Sequence, residues 1–144
     1  MNKKIHYSEI FSKVGGSEFF RSLVDIFYNK IENDLILRPI FPESLEAGRK
    51  WQYLFLQQFF GGPREYEQIR GHPRLRKRHL PFPIGIKERN QWVTLILESI
   101  EELGITKDHE LRFTFEEYFE RTATKLMNKD DPNELVPFLK DTLN

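Results

Sequence analysis

Read for the spacing of its apolar side chains, the chain divides into helices. Over residues 17–34, Phe20, Leu23, Phe27 and Ile31 recur at three- and four-residue intervals with Tyr28 beside the stripe, the period of an amphipathic helix. Gly15-Gly16 comes before it, and Ser17 fits the N-cap. A second helix is predicted over residues 45–60, where Gly48, Gln52, Phe55 and Phe59 share one face and Gly61-Gly62-Pro63 ends it. Gln52 is the polar exception on that face, and an amide buried among apolar groups calls for a partner.

A short helical piece around Tyr66 follows, then residues 70–83, rich in Arg and Pro. Pro73 suits the start of a short helix, whereas Leu80 stands before Pro81 and is pushed towards extended geometry. His79 thus falls in that helix's last turn. Residues 86–103 carry Trp92, Ile96, Ile100 and Leu103 on one face, and residues 108–127 carry Leu111, Phe115, Phe119, Thr122 and Leu126. A final short helix is expected from Asp131-Pro132-Asn133-Glu134, interrupted at Pro137. No segment alternates with the period of a strand, and no repeat or low-complexity stretch breaks the pattern. The predicted class is all-α, in one domain.

Composition adds a cavity to this picture. The 144 residues include 13 Phe, 5 Tyr and 2 Trp, enough large apolar surface to line a pocket as well as fill a core. Lys plus Arg balances Asp plus Glu at 22 each, so no global field favours nucleic acid or an anionic membrane. The lack of cysteine removes disulfides, thiolate metal sites, iron–sulfur clusters and cysteine nucleophiles. Met1-Asn2-Lys3-Lys4-Ile5 lacks the apolar stretch of a secretory signal. No apolar run approaches the roughly 18 residues of a membrane span. A cytoplasmic protein that does not enter membranes is expected.

Of four histidines, His6 and His109 lie in polar contexts that suggest no role. No His-Glu-x-x-His, Gly-x-Ser-x-Gly or Walker sequence occurs. The densest local signal is Arg70-Gly71-His72-Pro73-Arg74-Leu75-Arg76-Lys77-Arg78-His79, with five Lys and Arg besides two His. By itself this run reads as a solvated face, a nucleic-acid patch, or a cationic rim for an acidic ligand.

Extended through Leu80-Pro81-Phe82, that string resembles the segment around the proximal histidine of group II truncated haemoglobins. Phe27-Tyr28, Leu37-Arg38-Pro39-Ile40-Phe41-Pro42, Phe59-Phe60-Gly61-Gly62-Pro63 and Arg89-Asn90-Gln91-Trp92 resemble the same family in the same order, together spanning roughly residues 15–127. The resemblance implies a truncated globin fold, a two-over-two helical sandwich around haem b. It implies a globin domain over residues 1–128, with an N-terminal extension of about residues 1–14 and a C-terminal one over 129–144.

It further implies that His79 is the proximal iron ligand and that Tyr28 and Trp92 are distal donors. Gln52 would be a third donor, where many relatives have an apolar residue. Gly48 matches the place where larger globins carry a distal histidine. Phe41, Phe55, Leu75 and Phe82 would line the haem, and Arg78 with Tyr66 would meet its propionates. Trp51 stands where relatives often have a basic residue, so packing or stacking would replace an ion pair there.

The implied ligands are dioxygen and, further, nitric oxide, carbon monoxide, peroxide or sulfide. Turnover of nitric oxide or peroxide would require an external reductase. A non-enzymatic gas sensor or scavenger acting through a partner is the alternative, and a haem-free nucleic-acid binder built on residues 70–78 is a third reading. The leading reading includes no nucleic-acid partner and allows a monomer or a homodimer.

Overall fold

Residues 5–129 are described by a computed structural model, and among them helices and turns account for all regular structure. In chain order the helices are α1 (Ile10–Lys13), α2 (Ser17–Glu32), α3 (Glu46–Phe59), α4 (Glu65–Arg70), α5 (Leu75–His79), α6 (Ile86–Glu102) and α7 (Arg112–Lys125). Two 3-10 turns, Tyr7–Glu9 and Arg38–Ile40, complete the set. The helix expected from Asp131 lies outside the described residues. Among those described, no helix is long and apolar enough to cross a membrane.

The apolar stripe read from the sequence is the buried face of α2: Phe20, Leu23, Val24, Phe27, Tyr28 and Ile31 all lose their solvent contact. Ser17 does not cap this helix. Gly16 takes the cap position, and the Ser17 hydroxyl donates instead to Gln57 Oε1 across 2.8 Å. That bond satisfies a glutamine side chain only 1% exposed and joins α2 to α3.

The end of α3 is a Schellman motif. Gly61 N–H donates to the Gln58 carbonyl at 3.2 Å and Gly62 N–H to the Gln57 carbonyl at 2.7 Å, closing two carbonyls that the helix leaves open. Gly61 has φ of +101°, and a Cβ there would run into the Ser8 carbonyl. Both constraints demand glycine.

Two polar side chains shape the loop between α2 and α3. Asp34 Oδ2 accepts from the Ile36 and Leu37 amides at 3.1 and 2.8 Å, while its Oδ1 accepts from Gln91 Nε2 at 2.6 Å. The Arg38 guanidinium then donates to the carbonyls of Phe41, Pro42 and Glu43. With the loop pinned at both ends, Phe41 is held against the Tyr28 ring at 6.0 Å between centroids.

Helix α2 packs on α3 and α6, and α6 packs on α7. The result is two helix pairs laid over each other, with Phe20, Phe60, Phe115 and Phe119 fully buried in the shared core. Helix α7 begins later than the expected residue 108. His109 Nδ1 accepts the Leu111 amide at 3.0 Å, and Arg112 Nη1 reaches the Ile105 carbonyl at 3.0 Å, so residues 106–111 form turns before the helix starts. Helix α5 starts at Leu75 rather than near Pro73, because Arg74 takes a left-handed conformation with φ of +48°.

Candidate functional site

A cavity of about 580 Å³ opens where α2 to α7 converge, within the roughly 300–1,000 Å³ of cofactor and ligand pockets. All twelve residues singled out from the sequence stand in its wall. Histidine 79, with Leu75 and Arg78, comes from α5; Phe82 comes from the loop behind it. Other elements contribute Tyr28 from α2, Phe41, and Gly48, Trp51, Gln52 and Phe55 from α3. Tyr66 enters from α4 and Trp92 from α6.

His79 Nδ1 lies 2.6 Å from the Leu75 carbonyl, one turn back on the same helix. A carbonyl only accepts, so Nδ1 carries a proton, and in the neutral ring Nε2 keeps its lone pair. Such a bond fixes both the tautomer and the ring's rotation, as the outer partners of metal-bound imidazoles do.

Tyr28 is 5% exposed. Its ring is wedged edge-on between Phe27, at 5.7 Å, and Phe41, at 6.0 Å. Burial pushes its phenol up to about 12, with the nearby Arg49 charge pulling the other way. The hydroxyl is therefore a proton donor throughout the neutral range. Burial raises the phenol of Tyr118 as well.

The unfolded chain ionises these two tyrosines from their ordinary value of 10.0, before the folded chain does. Whatever they contribute is thus intact below that value and lost as pH rises through the folded ones. An ultraviolet titration of the folded protein should show two tyrosines still neutral above the ordinary phenol value of 10.0. Tyr28→Phe should leave one.

Gly48 makes room for that hydroxyl. A Cβ on Gly48 would stand 2.7 Å from Tyr28 Oη, and a ring wedged between two others has nowhere to swing. Gly48→Ala is expected to displace Tyr28 and lower stability by about 1–3 kcal/mol, the usual cost of overpacking. Thermal unfolding would measure it.

Gln52 also lines the cavity, and its Oε1 is buried with no hydrogen-bond partner among the described residues. An unpaired carbonyl oxygen at a cavity wall is costly unless a hydrogen-bond donor occupies the space. Trp92 completes the group, its indole set edge-on to Phe27 at 5.5 Å and Phe119 at 5.8 Å. An indole N–H can only donate.

Cations also stand in the wall. Arg78 Nε donates to the Pro73 carbonyl at 2.9 Å, which holds the guanidinium in place. Arg70 and Lys77 join it in the lining; both were read only as members of the basic run. Arg70 sits 4.3 Å above the Trp51 ring and 5.8 Å from that of Tyr66. Trp51 thus supports a neighbouring cation through its π-face. Arg89, also in the wall, donates to the Glu120 carbonyl at 3.1 Å. Desolvation makes its proton easier to lose and the Glu120 charge opposes this.

Among the described residues no cluster of three or more His, Asp or Glu could hold a bare metal ion. One imidazole with a free lone pair suits a metal that arrives already held by other ligands. Apolar rings in the same wall and the Arg and Lys side chains of its lining fit a flat apolar metal carrier bearing carboxylates, which describes haem. A two-over-two helical sandwich with this pocket is the architecture of a globin.

The comparisons with known proteins agree. A profile of bacterial-like globins matches residues 9–128. The group 2 truncated haemoglobin of Bacillus subtilis is 35% identical over 116 residues, covering 81% of this chain and 86% of that protein. Two-on-two hemoglobin-3 of Arabidopsis thaliana is 30% identical over 122 residues, covering 83% and 69%. The crystal structure of the haemoglobin of Chloroflexus aurantiacus superposes with a TM-score of 0.78 at 48% identity, over 83% of this chain and 98% of that one. The group II truncated haemoglobin of Bacillus anthracis gives 0.79 at 34% identity, over 84% and 97%.

The chain belongs to the bacterial-like globins and, within them, to the group II truncated haemoglobins. It is a haem-binding globin that binds dioxygen and related gases.

Proposed function

We propose that this globin holds haem b through His79 Nε2 and retains dioxygen tightly beneath three donors, Tyr28, Gln52 and Trp92. One observation carries the reading: a fixed imidazole and three polar side chains share the wall of a single apolar cavity. When bound, haem supplies an iron centre able to take a diatomic gas and to exchange electrons.

The chain's own residues do the rest. The Leu75 carbonyl holds the His79 ring in the tautomer that leaves Nε2 unprotonated. Tyr28 keeps its proton and donates its hydroxyl to the polar end of the gas. Trp92 adds an indole donor and Gln52 an amide donor. Gly48, with no side chain, leaves the space in which they act. Phe41, Phe55, Leu75 and Phe82 give the pocket apolar walls that keep water away. Arg78, Arg70 and Lys77 attract the two carboxylates, with Tyr66 beside them and Trp51 carrying Arg70 on its ring face. The oxygen-avid truncated haemoglobin of Bacillus subtilis superposes at a TM-score of 0.75 and 33% identity, which supports tight retention here. Turnover of nitric oxide or peroxide would draw electrons from an external reductase.

Stopped-flow displacement of dioxygen by carbon monoxide tests this proposal. Slow release from the haem-loaded protein is expected, faster in a Gln52→Leu variant. Fast release from the wild type, unchanged by that substitution, would overturn it.

A further inference from the structure

Helix α5 has five residues, too few to be stable alone, and it packs broadly on no other helix among the described residues. Yet it carries His79. What holds it is the segment after α7. Asn128 Nδ2 donates to the His79 carbonyl at 3.0 Å and to the Phe82 carbonyl at 2.8 Å. Asn128 Oδ1 accepts from the Ile84 amide at 2.9 Å. The Asn128 and Lys129 amides both reach the Ile84 carbonyl, at 2.9 and 3.1 Å. From the other side, Arg76 of α5 donates to the carbonyls of Lys125 and Met127, at 2.8 and 3.2 Å. That last pair closes open carbonyls at and just past the end of α7 with a positive charge, the favourable sign for a helix C-terminus.

One amide side chain thus bridges the carbonyl of the histidine and both flanks of the loop that follows it. The Leu75 carbonyl sets the rotation of the ring; the bridge sets where the peptide that bears it lies. Without that side chain, the ties to the α7 end are Arg76 and the Asn128 and Lys129 amides on the Ile84 carbonyl, none of which meets the His79 carbonyl.

We propose that Asn128 is a positioning residue for His79, a strap from the far end of the chain that fixes the proximal segment against the cavity. The inference rests on the reading of His79 as the haem ligand. The test uses the full chain with Asn128→Asp, which keeps the shape and one acceptor but loses both donors, and Asn128→Ala. Haem transfer from each protein to an excess of apomyoglobin is expected to quicken about tenfold or more, the scale of losing an outer partner of a metal ligand. The iron–histidine stretching band of the reduced, gas-free protein should shift or broaden.

Amide hydrogen exchange over residues 80–84, measured without haem, should also quicken in both variants. Unchanged haem transfer and an unchanged iron–histidine band, with stability alone reduced, would overturn the proposal. So would unaltered exchange over residues 80–84. A wild type that takes up no haemin would instead refute the haem reading, and the exchange measurement would still decide whether Asn128 holds the loop.

Discussion

Replacing His79 with glycine is expected to abolish the five-coordinate spectrum of the reduced, haem-loaded protein, and added imidazole is expected to restore it. The expectation follows from the bond between Nδ1 and the Leu75 carbonyl at 2.6 Å, which leaves Nε2 as the free base at the cavity wall. Weakening an outer partner of a metal-bound histidine costs about 10–100-fold in metal affinity, so deleting the ligand itself should cost at least that in haem retention. The ring is half-buried, and glycine leaves a gap of its own size that free imidazole can enter. Haem dissociation and visible absorption, each with and without imidazole, read the outcome. A glycine variant with the wild-type spectrum and retention would assign the iron ligand elsewhere.

The second large effect belongs to Tyr28. Tyr28→Phe removes a hydroxyl that burial keeps protonated, while the remaining ring keeps its edge contacts with Phe27 and Phe41. The change therefore isolates one donor. A hydrogen bond to a group gaining negative charge is worth about 1.5–3 kcal/mol, so dioxygen release should speed up by roughly tenfold to over a hundredfold. Carbon monoxide, which gains less negative charge, should respond much less. Trp92→Phe should act in the same direction. Because Tyr28, Gln52 and Trp92 share one cavity, the double variant should depart from the product of the single effects. Multiplicative effects would mean that the donors act on the ligand independently.

Much of this was legible before any coordinates. The Phe20, Leu23, Phe27 and Ile31 stripe stated a helix and its buried face together, because burial of large side chains at helical spacing is a local signal. Family resemblance named His79, and the fold then supplied what resemblance lacked, the carbonyl that orients it. Local caps were harder to read. Ser17 has the right chemistry for an N-cap, but Gln57, forty residues away, competes for its hydroxyl and wins. Pro73 suits a helix start, but the left-handed Arg74 delays it.

Pairings across the chain left no mark at all in the spacing of residues. At Trp51 packing or stacking was expected in place of an ion pair, but spacing did not say with what; in the fold it carries the Arg70 guanidinium on its ring face. Arg70 itself was hidden in a run of cations where spacing alone does not tell which side chains face inward. Asn128 stood past the last recognisable motif, and its three side-chain bonds span 44 to 49 positions of sequence. Such long-range satisfaction of backbone groups depends on topology, which local patterns do not encode.

Titration of the haem-free protein with haemin, followed by reduction and addition of carbon monoxide, tests the central claim most directly. The account predicts saturation at one haem per chain, a five-coordinate reduced spectrum, and complete conversion by carbon monoxide. Absence of uptake, or uptake without saturation at that ratio, would contradict it.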